Sequence, residues 1–291
     1  MANPSPLRYP GGKNRLAPFI GLAIQNLKIN HCTYIEPFAG GAGVALSLLL
    51  NDIVDNIVIN DYDKAIYSFW RAIKQDHNAL IQKINNTPIT IDEWYRQQNI
   101  YLKATSYSVD LAFATLFLNR TNHSGILNAG PIGGFAQAGE WKLDVRFNKD
   151  ILIEKINKIA ERKQNIFVYN KDIISLLRNY MANFGDNVFY YFDPPYYNKG
   201  QKLYKNFFSH QDHLRIHNII TKEIAAPWII TYDDVKEIAD LYKLFDLRKF
   251  DLTYSAANKG TASELMIFSD IQCCPTSAQL SKNKITINLR T

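Results

Sequence analysis

The stretch from Thr33 to Asp61 restricts the possible folds more than any other. A short apolar run, TYIEPF (33–38), reads as a buried strand and meets Gly40, Gly41 and Gly43, which are followed by the helix-forming run VALSLLL. A second strand, DNIVIN, covers Asp55–Asn60 and stops at Asp61. Strand, glycine turn, helix, strand and terminal acid form the first half of a nucleotide-binding α/β unit. Glycines after the first strand let the backbone approach a ligand closely and leave the first N–H groups of the helix free. An acid about 20 residues beyond the central glycine is placed to accept hydrogen bonds from a ribose diol. Leu46 stands where the third glycine of a dinucleotide fingerprint belongs, which weakens a nicotinamide dehydrogenase reading. A ligand with ribose and adenine but no phosphate, such as S-adenosylmethionine, needs a less stringent turn.

Alternation of strand and helix is interrupted after Asp63. KAIYSFWRAIK, the acidic start at Asp92-Glu93 and VDLAFATLFLNR read as helices, followed by a Gly/Asn/Pro-rich stretch from Thr121 to Gly139. A loop of that length inside a compact domain is usually functional. The α/β rhythm returns with NIFVYN, IISLLRNYM and NVFYYF, then the helix SHQDHLRIHNIITKEI, the strand PWIITY, the helix VKEIADLYKLF and the strands LRKFDLTYS and ELMIFS. The expected architecture is an α/β, mostly parallel sheet in two parts, residues 1–62 and 165–276. A mainly helical lobe, 63–164, is inserted between them, and a polar tail, 277–291, holds one short strand at most.

Two further motifs carry chemistry. Tyr9-Pro10-Gly11-Gly12-Lys13 resembles the end of a phosphate loop, but its first glycine is missing and Asn14 replaces the magnesium-binding Ser or Thr, which rejects a nucleoside triphosphatase. Asp193-Pro194-Pro195-Tyr196 ends the NVFYYF strand, and ligands of open α/β sheets sit at the carboxyl ends of strands. A carboxylate and a proline-fixed carbonyl can accept both hydrogens of a planar amine and draw its delocalised lone pair toward a tetrahedral state. Tyr196 offers a face for stacking a base turned out of a duplex. His213 and His217 are spaced i, i+4, but no acid or cysteine completes a metal site, and Ser209 with Asp212 reads as a helix cap. Cys32, Cys273 and Cys274 suggest neither a disulfide framework nor zinc.

In this order, RYPGGK, EPFAGGAG, INDYD, an inserted lobe and DPPY, the sequence resembles the Dam-type family of adenine-specific DNA methyltransferases from Leu7 to about Asp270. The resemblance implies a Rossmann-like S-adenosylmethionine-dependent sheet with an inserted target-recognition domain. It implies methyl-donor contacts at Tyr9, Lys13, Glu36, Pro37, Phe38, Gly40, Gly41, Gly43, Asp61, Asp172 and Asp193. Catalysis would fall to Asp193, Pro194, Pro195 and Tyr196. The loop from Asn119 to Gly125 resembles the family segment that enters DNA, so Arg120, Asn122, His123, Ser124 and Asn128 are expected DNA contacts. Lys199 and Lys202, in the basic aromatic stretch after DPPY, join them. GATC-specific relatives carry a tyrosine and an arginine where His123 and Asn128 stand, so GATC is not implied as the target.

A net charge of +6 fits the polyanionic partner that the resemblance implies, double-stranded DNA. A restriction endonuclease acting separately is a further expected partner, and a monomer or weak dimer the expected state. The N-terminus lacks the apolar core of a secretory signal and no apolar run is of bilayer length, which makes cytoplasmic localisation the expectation. Competing readings are methylation of adenine in RNA and a non-catalytic DNA-binding protein on the same scaffold.

Overall fold

The structure, a computed structural model, describes residues 3–9, 11–198, 208–253 and 261–290. Its strands are β1 (Thr33–Glu36), β2 (Asn56–Asn60), β3 (Ile166–Tyr169), β4 (Val188–Phe192), β5 (Trp228–Asp233), β6 (Asp246–Thr253), β7 (Thr261–Phe268) and β8 (Leu289–Arg290). They form one sheet in the order β3-β2-β1-β4-β5-β7-β6-β8. The first five strands pair in parallel, β7 is antiparallel to both neighbours, and β8 is antiparallel to β6. The chain lays β1, β2 and β3 toward one side, then crosses back to start β4 on the other flank of β1. The crevice beyond the ends of β1 and β4 is therefore the switch point at which such sheets bind ligands.

The central strands are apolar on both faces because both are covered. Tyr34, Ile57, Phe189 and Tyr191 enter one core, with residues of α1 (Ala17–Asn26) and α2 (Gly43–Leu50). The alternate positions Ile35, Val58, Tyr190 and Phe192 enter a second core with α8 (Ile173–Asn179), α9 (His210–Glu223) and α10 (Lys236–Leu241). This period of two is the pleat of the strand expressed as two helical layers.

The insertion is helical as expected, with α3 (Lys64–Gln75), α4 (His77–Asn86), α5 (Ile91–Lys103), α6 (Val109–Thr121) and α7 (Lys149–Ala160). Its apolar residues, Phe69, Trp94, Phe117 and Ile156 among them, are continuous with the first core rather than enclosed in one of their own. The tail departs from expectation. It carries α11 (Ser277–Lys282), which is started by a Thr276/Gln279 capping box, buries Leu280 and exchanges hydrogen bonds between Gln279 and Asn26. Among the described residues no helix is long and apolar enough to cross a membrane.

Candidate active site

Asp193 leaves the end of β4 with its side chain 20% exposed. Thr231, on neighbouring β5, donates its hydroxyl to Asp193 Oδ1 at 2.8 Å, and Tyr191 lies 2.8 Å from the same hydroxyl. Lys13 Nζ sits 3.3 Å from Asp193 Oδ1. Both contacts fall on Oδ1, and Oδ2 makes no hydrogen bond among the described residues. Immediately beyond, Asp233 accepts the backbone N–H groups of Tyr197 (2.8 Å) and Asn198 (3.0 Å), which holds the turn after the prolines.

Lys13 is nearly enclosed, at 5% exposure. Besides Asp193 it meets Glu264 Oε2 at 3.2 Å and donates to the Tyr196 hydroxyl at 2.8 Å, which in turn donates to Glu264 Oε1 at 2.5 Å. One cation thus balances two carboxylates. Burial raises the Glu264 carboxyl, Lys13 pulls it back and Asp193 adds to the rise. Glu264 was not legible as a site residue, since a single acid opening the apolar run ELMIF has no motif around it. It arrives here because β7 runs against β5, so Glu264 stands level with Asp233 at the carboxyl edge.

The glycine turn closes against the N-terminal segment. Gly40 has φ +44°, and a Cβ there would lie 2.5 Å from the Tyr9 ring; one on Gly41 would lie 2.9 Å from Tyr9 Cβ. Gly40→Ala should cost about 1–3 kcal/mol from the left-handed backbone alone, with the ring clash added, and thermal unfolding of the purified variant will measure it. Gly40 is held from both sides, its N–H on Asp61 Oδ2 at 3.0 Å and its carbonyl accepting from Trp70 Nε1 at 2.8 Å. Asp61 also accepts the Asp63 N–H at 2.8 Å. Burial pushes Asp61 up to about 7, while those two N–H bonds restrain the rise. Asn60 bridges the carbonyls of Pro37 and Lys171, which ties the first loop to the one after β3.

The other expected contacts have partners within the protein. Glu36 is buried and accepts the Ala45 N–H at 3.1 Å near the start of α2, and burial pushes it up to about 8. Gly43 begins α2 and packs against Asn14; Phe38 is partly buried, edge-on to Phe208. Asp172 caps α8 by accepting Ile174 N–H and Ser175 N–H on the same oxygen. Tyr196 is buried and hydrogen-bonded through its hydroxyl, a strut between Lys13 and Glu264 more than an open platform. Ser209 and Asp212 form the expected capping box, and His213 Nδ1 meets the Tyr232 hydroxyl.

Two expected DNA contacts are turned inward. Asn122 is fully buried, accepting from Trp94 Nε1 at 2.6 Å and donating to the carbonyls of Ile126 and Leu127. Arg120 gives its Nε to the Pro6 carbonyl at 2.7 Å. Asn122 braces the loop and Arg120 ties it to the N-terminal segment, each by satisfying backbone carbonyls that would otherwise be orphaned. His123, Ser124 and Asn128 are exposed on that loop; Lys199 and Lys202 lie outside the described residues.

The profile of the D12 class N6 adenine-specific DNA methyltransferase family matches residues 9–256. The type II methyltransferase M.MjaIII of Methanocaldococcus jannaschii is 23% identical over 84% of this chain and 89% of its own length. M1.LlaDCHI of Lactococcus lactis subsp. cremoris, also a type II methyltransferase, is 23% identical over 89% of this chain and 93% of its own. Among solved structures, the rRNA methyltransferase aviRa of Streptomyces viridochromogenes overlaps 90% of this chain and 86% of its own at 12% identity and a TM-score of 0.40, too loosely to bear on function.

Proposed function

The chain belongs to the D12 class of N6 adenine-specific DNA methyltransferases, and on that footing we propose that it methylates adenine within one recognised sequence of duplex DNA, on a base turned out of the helix. The observation that carries this reading is the carboxylate of Asp193 at the switch point, anchored through Oδ1 by Lys13 and Thr231, with no hydrogen bond to Oδ2 among the described residues. An adenine amine is a weak nucleophile because its lone pair is spread into the ring. Asp193 Oδ2 accepts one amino hydrogen and the Pro194 carbonyl the other, so positive charge developing on nitrogen meets acceptors that need no reorganisation. Pro194 and Pro195 fix their own φ and keep the loop from relaxing away.

S-adenosylmethionine, the methyl donor of this enzyme, supplies when bound a methyl group activated on a sulfonium. The residues present fit it. Gly40 and Gly41 let Tyr9 close tightly on the turn after β1, and Asp61 offers a partly buried carboxylate at the end of β2 beside it. We assign the ribose hydroxyls to Asp61. Lys13 serves this site by neutralising Asp193 and Glu264 instead of reaching for the donor's carboxylate. Residues 63–164 carry target recognition in this reading, with His123, Ser124 and Asn128 toward the DNA. A separate endonuclease reading the same sequence would be the partner that the relatives' type II names suggest.

Ionised Asp61 accepts hydroxyl hydrogen bonds more strongly than its neutral form. Donor affinity should therefore rise as pH climbs from 6 to 8 through the value of about 7, and calorimetry on wild type and Asp61→Asn should show the dependence only in the former. The opposite sign holds for stability without ligand. Burial raises Asp61 to about 7 and Glu36 to about 8. Their share of stability is full below the unfolded carboxyl range near ~4 and is lost as pH rises through those values. The reading itself is tested by expression in a host free of DNA methylation, followed by modification-sensitive sequencing. A recurring methylated adenine context is expected; a folded, donor-binding protein that leaves no such mark would refute it.

A further inference from the structure

The inserted loop and the N-terminal segment enclose a second feature. An open groove of about 370 Å³ is lined by Arg8, His123, Ser124, Glu140, Trp141 and Arg146, with the glycine-rich turn at Gly133 and Gly134 along its floor. Its construction is deliberate at the backbone level. Asn119 grips the main chain of Arg8 from both sides, accepting its N–H at 2.7 Å and donating to its carbonyl at 2.8 Å. Gly125, at φ +76°, is pressed so close that a Cβ there would lie 2.3 Å from the Arg8 carbonyl oxygen. These contacts set the Arg8 side chain beside the exposed His123–Ser124 turn.

The groove is charged and uncompensated. Arg8, Arg120 and Arg146 repel one another, and Lys155 feels Arg120. Among the described residues none of these four cations makes a salt bridge; Glu140, on the same groove, makes none either. Arg120 and Lys155 do find neutral acceptors, in the carbonyls of Pro6 and of Asn3 and Ser5. Arg8 differs, since its Nη1 is buried and makes no hydrogen bond among the described residues. An enclosed guanidinium N–H without an acceptor beside a second arginine is costly in the free protein, and an incoming anion removes that cost.

We propose that Arg8 and Arg146, flanked by the His123–Ser124 turn, form an anion site that holds one backbone phosphate of the DNA duplex next to the methylation crevice. Guanidinium forks match phosphate oxygens in pairs, which suits two arginines and no lysine at the centre. The groove is open to the surface, as a continuous strand requires, and Tyr9, the residue after Arg8, already lies on the Gly40–Gly41 turn. A phosphate held here would fix the register of the duplex against the site without reading its sequence. The proposal rests on the DNA methyltransferase reading.

Arg8→Gln and Arg146→Gln, each made in the full chain, test it through binding to a duplex oligonucleotide across a range of salt. Loss of one phosphate contact should make the plot of log affinity against log salt shallower by about 0.9, equally for duplexes of different sequence, while affinity for S-adenosylmethionine stays at the wild-type value. A neutral methylphosphonate placed along the duplex should weaken wild type at one position and leave the Arg146→Gln variant indifferent there. An unchanged salt slope in both variants overturns the proposal, as does a loss confined to one DNA sequence, which would mean base reading. Inorganic phosphate bound by these arginines without competing against duplex would mark a free-anion site and overturn it too. If the wild-type protein neither binds nor methylates DNA, it is the underlying functional reading that fails.

Discussion

Replacing Asp193 by alanine should cut methyl transfer by on the order of 10²–10³-fold or more, the scale seen when one preorganised polar group is removed from a reacting centre. Two effects combine. The amine loses the acceptor at Oδ2, and the loss exposes Lys13 and Thr231 to each other without the oxygen that both contact. Asp193→Asn should fail as well, because the anchored oxygen can keep its place only by turning the amide NH2 toward the substrate, where it opposes the amine. Single-turnover labelling of duplex DNA measures the loss, and DNA binding followed separately should persist in both variants. Turnover near the wild-type rate in either would remove Asp193 from the mechanism.

Removing the cation has the larger structural effect. Lys13→Met leaves Glu264 and Asp193 without the charge that balances them, and breaking a buried ion pair by deleting one partner costs about 3–5 kcal/mol. The loss should be greatest at high pH. Glu264 is raised by burial and by Asp193, while Lys13 and the hydrogen bond from Tyr196 restrain it. In the variant its folded value lies further above the unfolded one, so stability is retained at low pH and falls as pH rises through the folded value. Adding Glu264→Gln removes the more deeply buried of the two uncompensated charges, and denaturant titration of the double variant should show part of the lost stability recovered. Activity should not return with it, since Asp193 still lacks the contact that orients Oδ1. A Lys13→Met protein as stable as wild type across the pH range would show that the cluster is not a coupled unit.

Much of the site was legible because it is made of short, contiguous words. The glycine turn, Asp61 and DPPY each sit at a strand end, and the order of the strands brings those ends to one crevice. Residues assigned by resemblance alone have protein partners that the sequence did not announce. Asp172 and Glu36 have the chemistry of ligands, and each is engaged by N–H groups at a helix start, two and three residues on for Asp172 and nine for Glu36. Asn122 and Arg120 have the chemistry of DNA contacts, yet Asn122 satisfies backbone carbonyls inside its own loop and Arg120 satisfies the Pro6 carbonyl of the N-terminal segment. A residue type states which bonds a side chain can make; it does not state which of the available partners stands closer.

Periodicity and local order in the chain were enough to determine the α/β class, the glycine turn, the helical insertion and the acid at the end of β4, because these depend on neighbours in sequence. The tertiary structure alone decided that Lys13, Tyr196 and Glu264 meet, across separations of 183 and 68 residues, and that Arg8 is clamped by Asn119 across 111. The antiparallel direction of β7 sets the first of these, and the packing of the insertion on the N-terminal segment sets the second. Charge compensation is a property of distance in space, and in a folded chain that distance is fixed by strand direction and helix packing.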